Sequence, residues 1–325
     1  MDIHQKAAVW SSAQLLDAGQ SSQTVLRALD TAALQRVRRG RYAALPYPDD
    51  PVGEHRRRTI DLAQEVGRAA VVSHGSAAVL WGVEIPPELD LSSVHFTWPG
   101  AAGRGTSTNI HPHRARLDPE DVLESRTAVG VGGSLEDPGI LVTTPARTVY
   151  DLARSADQRV AVSVADAMLR GQVCSREDFA LVLERAWGRP GSSIAREVMA
   201  FADPRSAGDL QSRTRVLLAR LGLPRPDLSV SVAHPAYGDI GPLDFELPSL
   251  RTVLCCDARA VDGRCPERVL MTDAVRETGR QILWVGESDL RSGVDLLHLL
   301  HPSMRAAGPE GRRRHTPVLS ARTRS

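Results

Sequence analysis

The last third of the chain changes hydrophobic period repeatedly within a hundred residues, and this alternation restricts its possible folds more than any other feature. Helical spacing in LQSRTRVLLARLG (210–222) stops at Gly222 and Pro224. Strand-length stretches follow at DLSVSVAH, DIGPLDFEL and RTVLCCD, then a helix in PERVLMTDAVRETG, a strand in QILWVG and a helix in ESDLRSGVDLLHLL. Helix, three-stranded meander, helix, strand, helix predicts an α/β/α arrangement around a mixed sheet. The 325 residues, 42% of them hydrophobic, are enough for two or three domains. No apolar run approaches the ~20 residues that cross a bilayer, and the opening MDIHQKAAVW is too polar for a secretion signal, so the expectation is a cytoplasmic chain without membrane contact.

Of the 40 basic residues, 39 are arginine, and Lys6 is the single lysine. Arginine stays protonated at working pH, so Walker loops, SxxK sites and Schiff-base amines are excluded elsewhere in the chain. Its planar fork is instead suited to phosphates and guanine edges. Only 13 residues are aromatic, which argues against a surface that stacks single-stranded bases. Cys174, Cys255, Cys256 and Cys265 form neither a disulfide framework nor a CxxC pattern.

Net charge is +1, but basic residues are unevenly placed. In residues 1–50, Ser11 or Ser12 precedes a short helix, AQLLDAG, stopped at Gly19. Ser21 or Ser22 then caps SQTVLRALDTA, with Val25, Leu26 and Leu29 on one face. LQRVRRGRYAALP places Leu34 and Val37 on one strand and Tyr42 and Ala44 on the next, with Arg38, Arg39 and Gly40 at the turn. Two helices followed by a hairpin predict a winged helix-turn-helix. Gln23, Thr24 and Arg27 occupy the first turns of the helix that would enter the major groove. Arg36, Arg38, Arg39 and Arg41 would lie along phosphate or in the adjacent minor groove. The blander alternative is that RRGR is a solvated hairpin tip, a place that charged residues favour anyway.

Residues 51–204 read as an α+β domain. Helical periodicity in RRRTIDLAQEVG is followed by a Ser73-His74-Gly75-Ser76 cap, strands at 94–98 and 109–113, and helices at 144–154, 158–171 and 175–187. His95, His111 and His113 invite a metal reading, because an H-x-H pair projects to one side of a strand. With no carboxylate or further histidine at ligand spacing, no metal is assigned. In residues 205–301, Asp244 and Asp257 lie on neighbouring strands and could hold Mg²⁺ for phosphodiester hydrolysis, short of a third ligand or base. Residues 302–325 carry six arginines against Glu310 without apolar periodicity and read as a disordered basic tail.

These residues carry two resemblances. The N-terminal AQLL…G…L…V.RG.Y pattern, with SHGSAAVLWG (73–82), VHFTWPG (94–100) and VTTPARTVYDLAR (142–154), resembles the AbiEi-type antitoxins of abortive-infection, type IV toxin–antitoxin systems over roughly residues 10–200. The resemblance implies a winged helix that binds repeats in its own promoter and a following domain that opposes a nucleotidyltransferase toxin, in phage defence. SRTRVLLARLGLP, LDFEL, VLCCDAR, TDAVRETG and WVGESDLR are similar to the very-short-patch-repair endonuclease-like fold that ends such actinobacterial chains. That family carries a helix Glu, an Asp on the second strand, and Glu-x-Asp-Gly followed by His. Here the positions hold Gln211, Asp244, Cys255, Asp257 and Ala258, with no His following. Cysteine suits a hard cation poorly and Gln211 cannot replace a Glu base, so the nuclease site is expected to be degenerate, with Asp244 and Asp257 vestigial.

The expected protein is therefore α+β and multidomain: winged helix-turn-helix (1–50), antitoxin-like domain (51–204), inactive endonuclease-like domain (205–301) and tail. Its expected function is sequence-specific binding of double-stranded DNA as an antitoxin or transcriptional repressor, without a cofactor. A targeted endonuclease, which alone would need Mg²⁺, and a protein-binding scaffold are the alternatives.

Overall fold

The computed structural model describes residues 9–11, 15, 21–31, 34–38, 41–44, 50–99, 109–124, 140–257, 266–291 and 293–306. Arg39, Gly40, Cys265, Ala258, most of AQLLDAG and residues 307–325 lie outside them. The chain divides into two units. One comprises Met1–Gly82 and Leu89–Thr148, the other Val83–Glu88 and Val149–Ser325.

In the first unit, α1 (Ser22–Asp30) begins where Ser21 Oγ accepts the Thr24 N–H at 3.1 Å, as the sequence predicts. Val25, Ala28 and Leu29 are half-buried, whereas Leu26 is 59% exposed. The apolar face is thus the 25/28/29 stripe, and Leu26, one position on from Val25, is rotated out of it. Strands β1 (Val9–Ser11), β2 (Leu34–Arg38) and β3 (Arg41–Ala44) form an antiparallel sheet in the order β1-β3-β2, with Arg38 paired to Arg41. Ser11, one of the two serines that precede AQLLDAG, ends β1 and pairs with Arg41 of β3. Leu15, which is helical, and Leu34 are buried.

Asp50 caps α2 (Pro51–Val66), accepting the Gly53 N–H at 2.7 Å, with Pro51 at the first helical position. A five-stranded mixed sheet follows, in the order β6-β5-β4-β8-β7. It comprises β4 (Val71–Val72), β5 (Val94–Trp98), β6 (Ile110–Arg114), β7 (Val122–Glu124) and β8 (Leu141–Thr143). The sequence pattern reveals β5 and β6 but not the two- and three-residue strands, which are too short to show a period. Helix α3 (His74–Leu80) is fully buried and ends with the Trp81 indole donating to the Thr143 carbonyl at 3.0 Å.

Helix α4 (Pro145–Ser155) contains the division between units. The second unit continues with α5 (Gln158–Arg170), α6 (Arg176–Arg185), α7 (Ser192–Phe201) and α8 (Asp209–Arg220). Helix α8 ends as predicted: Gly222 takes φ 69°, its N–H meets Ala219 O, and Leu223 N–H meets Leu218 O. The second mixed sheet has the order β12-β11-β10-β9, built from β9 (Asp227–His234), β10 (Gly238–Leu247), β11 (Thr252–Cys256) and β12 (Gln281–Val285). Helix α9 (Pro266–Glu277) is the crossover that makes β11 and β12 parallel. Leu254, Leu283 and Val285 face a core shared with α8 and with α10 (Gly293–Ala306). Val253, Cys255, Ile282 and Trp284 face Val275 and Met271 of α9. Helices thus cover both faces, the three-layer arrangement expected.

Two boundaries differ from expectation. The predicted disordered tail from 302 begins inside α10, where Ser303 is buried and its hydroxyl donates to Gln281 Oε1 at 2.5 Å. The 204/205 division is crossed by a buried ion pair: Asp166 of α5 accepts from Arg215 of α8 at 2.6 Å, from Ser212 Oγ at 2.7 Å and from Asp203 N–H at 2.7 Å. A bond count of this kind is what compensates two desolvated charges. Asp166→Ala is expected to lower stability by about 3–5 kcal/mol in urea unfolding, and adding Arg215→Met to recover most of it. A single-variant loss below about 1 kcal/mol would show that the pair is not structural.

Candidate functional site

Three groups of residues have chemistry to offer. The first is α1 with its hairpin. Gln23, Thr24 and Arg27 are all exposed on α1, but the helix ends at Asp30, so Gln23 and Thr24 lie in its first turn and Arg27 in its last; Leu26 shares the outward side with Gln23 and Arg27. Thr24 has a second task, since its Oγ1 lies 2.9 Å from Ser21 Oγ within the cap. Arg36 and Arg38 lie on β2 and Arg41 on β3. The predicted residues therefore belong to adjoining elements, α1 packing beside β2.

The second group is the set of positions around Asp244 and Asp257 on the second sheet. The fold brings Gln211, Asp244 and Cys255–Asp257 together, but both oxygens of Asp244 are engaged. Gln211 Nε2 donates to Oδ1 and the Cys256 N–H to Oδ2, each at 2.5 Å. Gln211 is fixed in turn by the Ala207 N–H donating to its Oε1 at 2.7 Å. Burial, and then the Asp257 charge, outweigh these donors and raise the Asp244 pKa. Asp257 forms an ion pair with Arg268, whose guanidinium lies 4.7 Å over the Trp284 ring. Burial, then the Asp244 charge, pushes the Cys255 thiol up to about 12, so it is protonated at neutral pH. These residues fit Mg²⁺ poorly, since it needs near-octahedral oxygen ligands: each oxygen of one carboxylate already accepts an N–H, the other carboxylate is paired with an arginine, and the remaining side chain is a thiol.

The third group is one that residue spacing did not assemble. His95 on β5 and His113 on β6 face the same side of parallel strands, in register His95↔His111 and Thr97↔His113. His95 Nδ1 lies 2.9 Å from His113 Nε2. His74, the first residue of α3, stacks on His113 with centroids 3.5 Å apart, and His111 stacks on His95 at 4.8 Å. One ligating atom from each of His74, His95 and His113 lies within 4.8 Å of the others. The absence of a third ligand, inferred from spacing, is thus corrected by the fold: β4 runs beside β5 and delivers α3 to the H-x-H strand. Ser73-His74 beside an H-x-H pair is the available signal; Ser73 is expected to cap the helix, but its side chain makes no cap hydrogen bond. Its Oγ instead meets His74 Nδ1 at 2.9 Å and accepts from Thr97 Oγ1 at 2.8 Å. His55 completes the surroundings, with Nδ1 on the Leu91 carbonyl at 2.9 Å and Nε2 2.8 Å from Ser76 Oγ, which accepts the His95 N–H at 2.9 Å.

Burial, then neighbouring imidazoles, lowers the His95 pKa to about 4 and the His113 pKa to about 3. Both rings are therefore neutral at pH 7.

No protein-family profile matches the chain. Two uncharacterized proteins of Mycobacterium tuberculosis, one from strain CDC 1551 / Oshkosh and one from strain H37Rv, are each 28% identical to it over 232 residues, 70% of this chain and 78% of theirs. The crystal structure of the RV2827C protein from Mycobacterium tuberculosis aligns with 70% of this chain and 84% of its own at 16% identity, with a TM-score of 0.34, too low to define a shared fold. Among the described residues, no helix is long and apolar enough to cross a membrane.

The histidine shifts have a pH signature. An unfolded imidazole takes a proton near pH 6.5, and folded His95 and His113 only near about 4 and about 3. In that window the unfolded chain binds more protons, so stability falls as pH drops below about 6.5 and is flat just above it. Urea midpoints of metal-free protein are expected to fall between pH 7 and pH 5, with a shallower slope in His113→Gln. Equal slopes would show that the ring is not held neutral.

Proposed function

We propose that the chain is a sequence-specific double-stranded DNA-binding protein of the antitoxin and transcriptional-repressor kind, reading its site with a winged helix-turn-helix in residues 1–50. The observation that carries this reading is a Ser21-capped helix that exposes Gln23, Thr24 and Arg27 and leads directly into a hairpin bearing Arg36, Arg38 and Arg41. Gln23 and Arg27 match adenine and guanine edges in the major groove, and exposed Leu26 between them suits a thymine methyl. Arg36, Arg38, Arg39 and Arg41 supply sequence-independent affinity through phosphate. An opposing toxin of nucleotidyltransferase type is the partner that goes with this reading. The second unit acts without hydrolysing DNA, a role supported by the engaged oxygens of Asp244 and the Asp257–Arg268 pair.

The test is a titration of full-length protein against its own upstream region with Mg²⁺ present and the products run on a denaturing gel. A discrete shift with intact strands is expected. Cleavage would restore Asp244 and Asp257 as metal ligands, and neither shift nor cleavage would favour a protein-partner scaffold. Neutralising about four phosphates gives a log–log salt slope near −3.6, and a flat salt response would remove the hairpin from the interface. Arg27→Ala is expected to cost roughly 1–3 kcal/mol on the specific site and little on random DNA.

A further inference from the structure

We propose that His74, His95 and His113 form a binding site for a divalent transition-metal ion of the zinc class, built on the five-stranded sheet of the first unit. The chain has ten histidines, and four of them, His74, His95, His111 and His113, form one connected cluster of rings. Packing alone gives little reason for this, since imidazoles bury less apolar surface than Leu or Phe and repel one another once protonated. Three imidazole nitrogen donors on separate elements are what a four-coordinate zinc site with one open position uses.

The geometry is close to that of a loaded site. Zinc–nitrogen bonds of about 2.0–2.1 Å place two tetrahedral ligands about 3.3 Å apart. His95 Nδ1 and His113 Nε2 are 2.9 Å apart, sharing one proton that an ion would replace once the donor ring shifts its proton to its other nitrogen. Parallel rings cannot both aim at one atom, so His74 must turn off the face of His113, a side-chain rotation. Its backbone already departs from the ordinary: His74 has φ 52°, a left-handed conformation uncommon outside glycine and a mark of functional positions. The surroundings resemble an outer shell of polar partners that fixes ligand orientation, with Ser73 on His74 and Thr97 on Ser73.

Donor type sets the class of ion. The trio contains no carboxylate or thiolate, which disfavours Mg²⁺ and Ca²⁺ and suits Zn²⁺, Co²⁺, Ni²⁺ or Cu²⁺. Asp90 is the acidic group whose charge reaches His95 and His111, placing one compensating carboxylate nearby. His111 stands exposed at the edge of the stack, outside the trio.

The experiment is calorimetric titration of chelator-stripped, full-length protein with ZnCl₂, followed by CoCl₂ titration read by visible absorption. One Zn²⁺ per chain and a four-coordinate Co²⁺ spectrum are expected. His74→Ala, His95→Ala and His113→Gln should each weaken binding at least roughly tenfold, and Ser73→Ala, which keeps every ligand, by about tenfold through loss of ring orientation. His111→Ala and His301→Ala should stay within about threefold of the parent, and circular dichroism should show each variant folded. The proposal is overturned by the lack of saturable one-to-one binding. It is equally overturned if folded variants of the trio bind like the parent, or if His111→Ala or His301→Ala alone abolishes binding.

Discussion

The second unit depends on an ion pair between α5 and α8 that is closed to solvent. Asp166 and Arg215 are both essentially inaccessible, and Arg215 also lies 4.8 Å over the Phe201 ring. One turn earlier, Asp209 accepts from Ser163 Oγ at 2.7 Å and from Arg213. Arg213 then reaches Glu88 at 2.9 Å and Glu287 at 2.6 Å. Such pairs contribute little net stability over apolar packing, because desolvation consumes most of the attraction. Their effect is on register. Rotating α8 by one residue would separate Arg215 from Asp166 and leave a buried carboxylate without its cation, at a cost of several kcal/mol.

Arginine suits these positions for the same reason that it suits phosphate: a fixed fork that stays charged and accepts several partners at once. The arginine content therefore has two unrelated uses. Arg213 and Arg215 organise a core, while Arg27 on α1 stands in solvent with no acidic residue in the first turn of its helix. Composition does not separate these roles, but burial does. The same applies to the acids. Asp244 has both oxygens engaged and Asp257 is neutralised, so a pair that sequence spacing suggests for a metal is used to tie β10 to α8 and β11.

Much of the fold was legible. Where a period ran for eight residues or more between punctuating residues, as in DLSVSVAH or QRVAVSVADAMLR, the element matches closely. The caps at Ser21 and Gly222 were also visible, since they depend on local chemistry alone. Strands β4, β7 and β8 have two or three residues and exist because neighbours pair with them. The lack of apolar periodicity after residue 301 predicts a disordered tail from 302, but burial of Leu296, Leu300 and Ser303 carries α10 on to Ala306. Helix spacing groups Leu26 with Val25 and Leu29, but Leu26 stands exposed, because spacing identifies a stripe without saying how wide a face the partner covers.

By itself, the sequence determined most of the longer helices and strands, the three-layer order of the last hundred residues, and the types of donor available: many guanidinium forks, ten imidazoles, no usable lysine beyond Lys6. Those follow from local sterics, periodicity and side-chain chemistry. Only the tertiary structure decided that α5 belongs with α8, that Gln211 and Cys256 hold Asp244, and that His74 meets His95 and His113. Each of these joins residues 18 or more positions apart except the Cys256–Asp244 contact, at 12. A contact across that distance is set by strand order and helix docking, which no local pattern records.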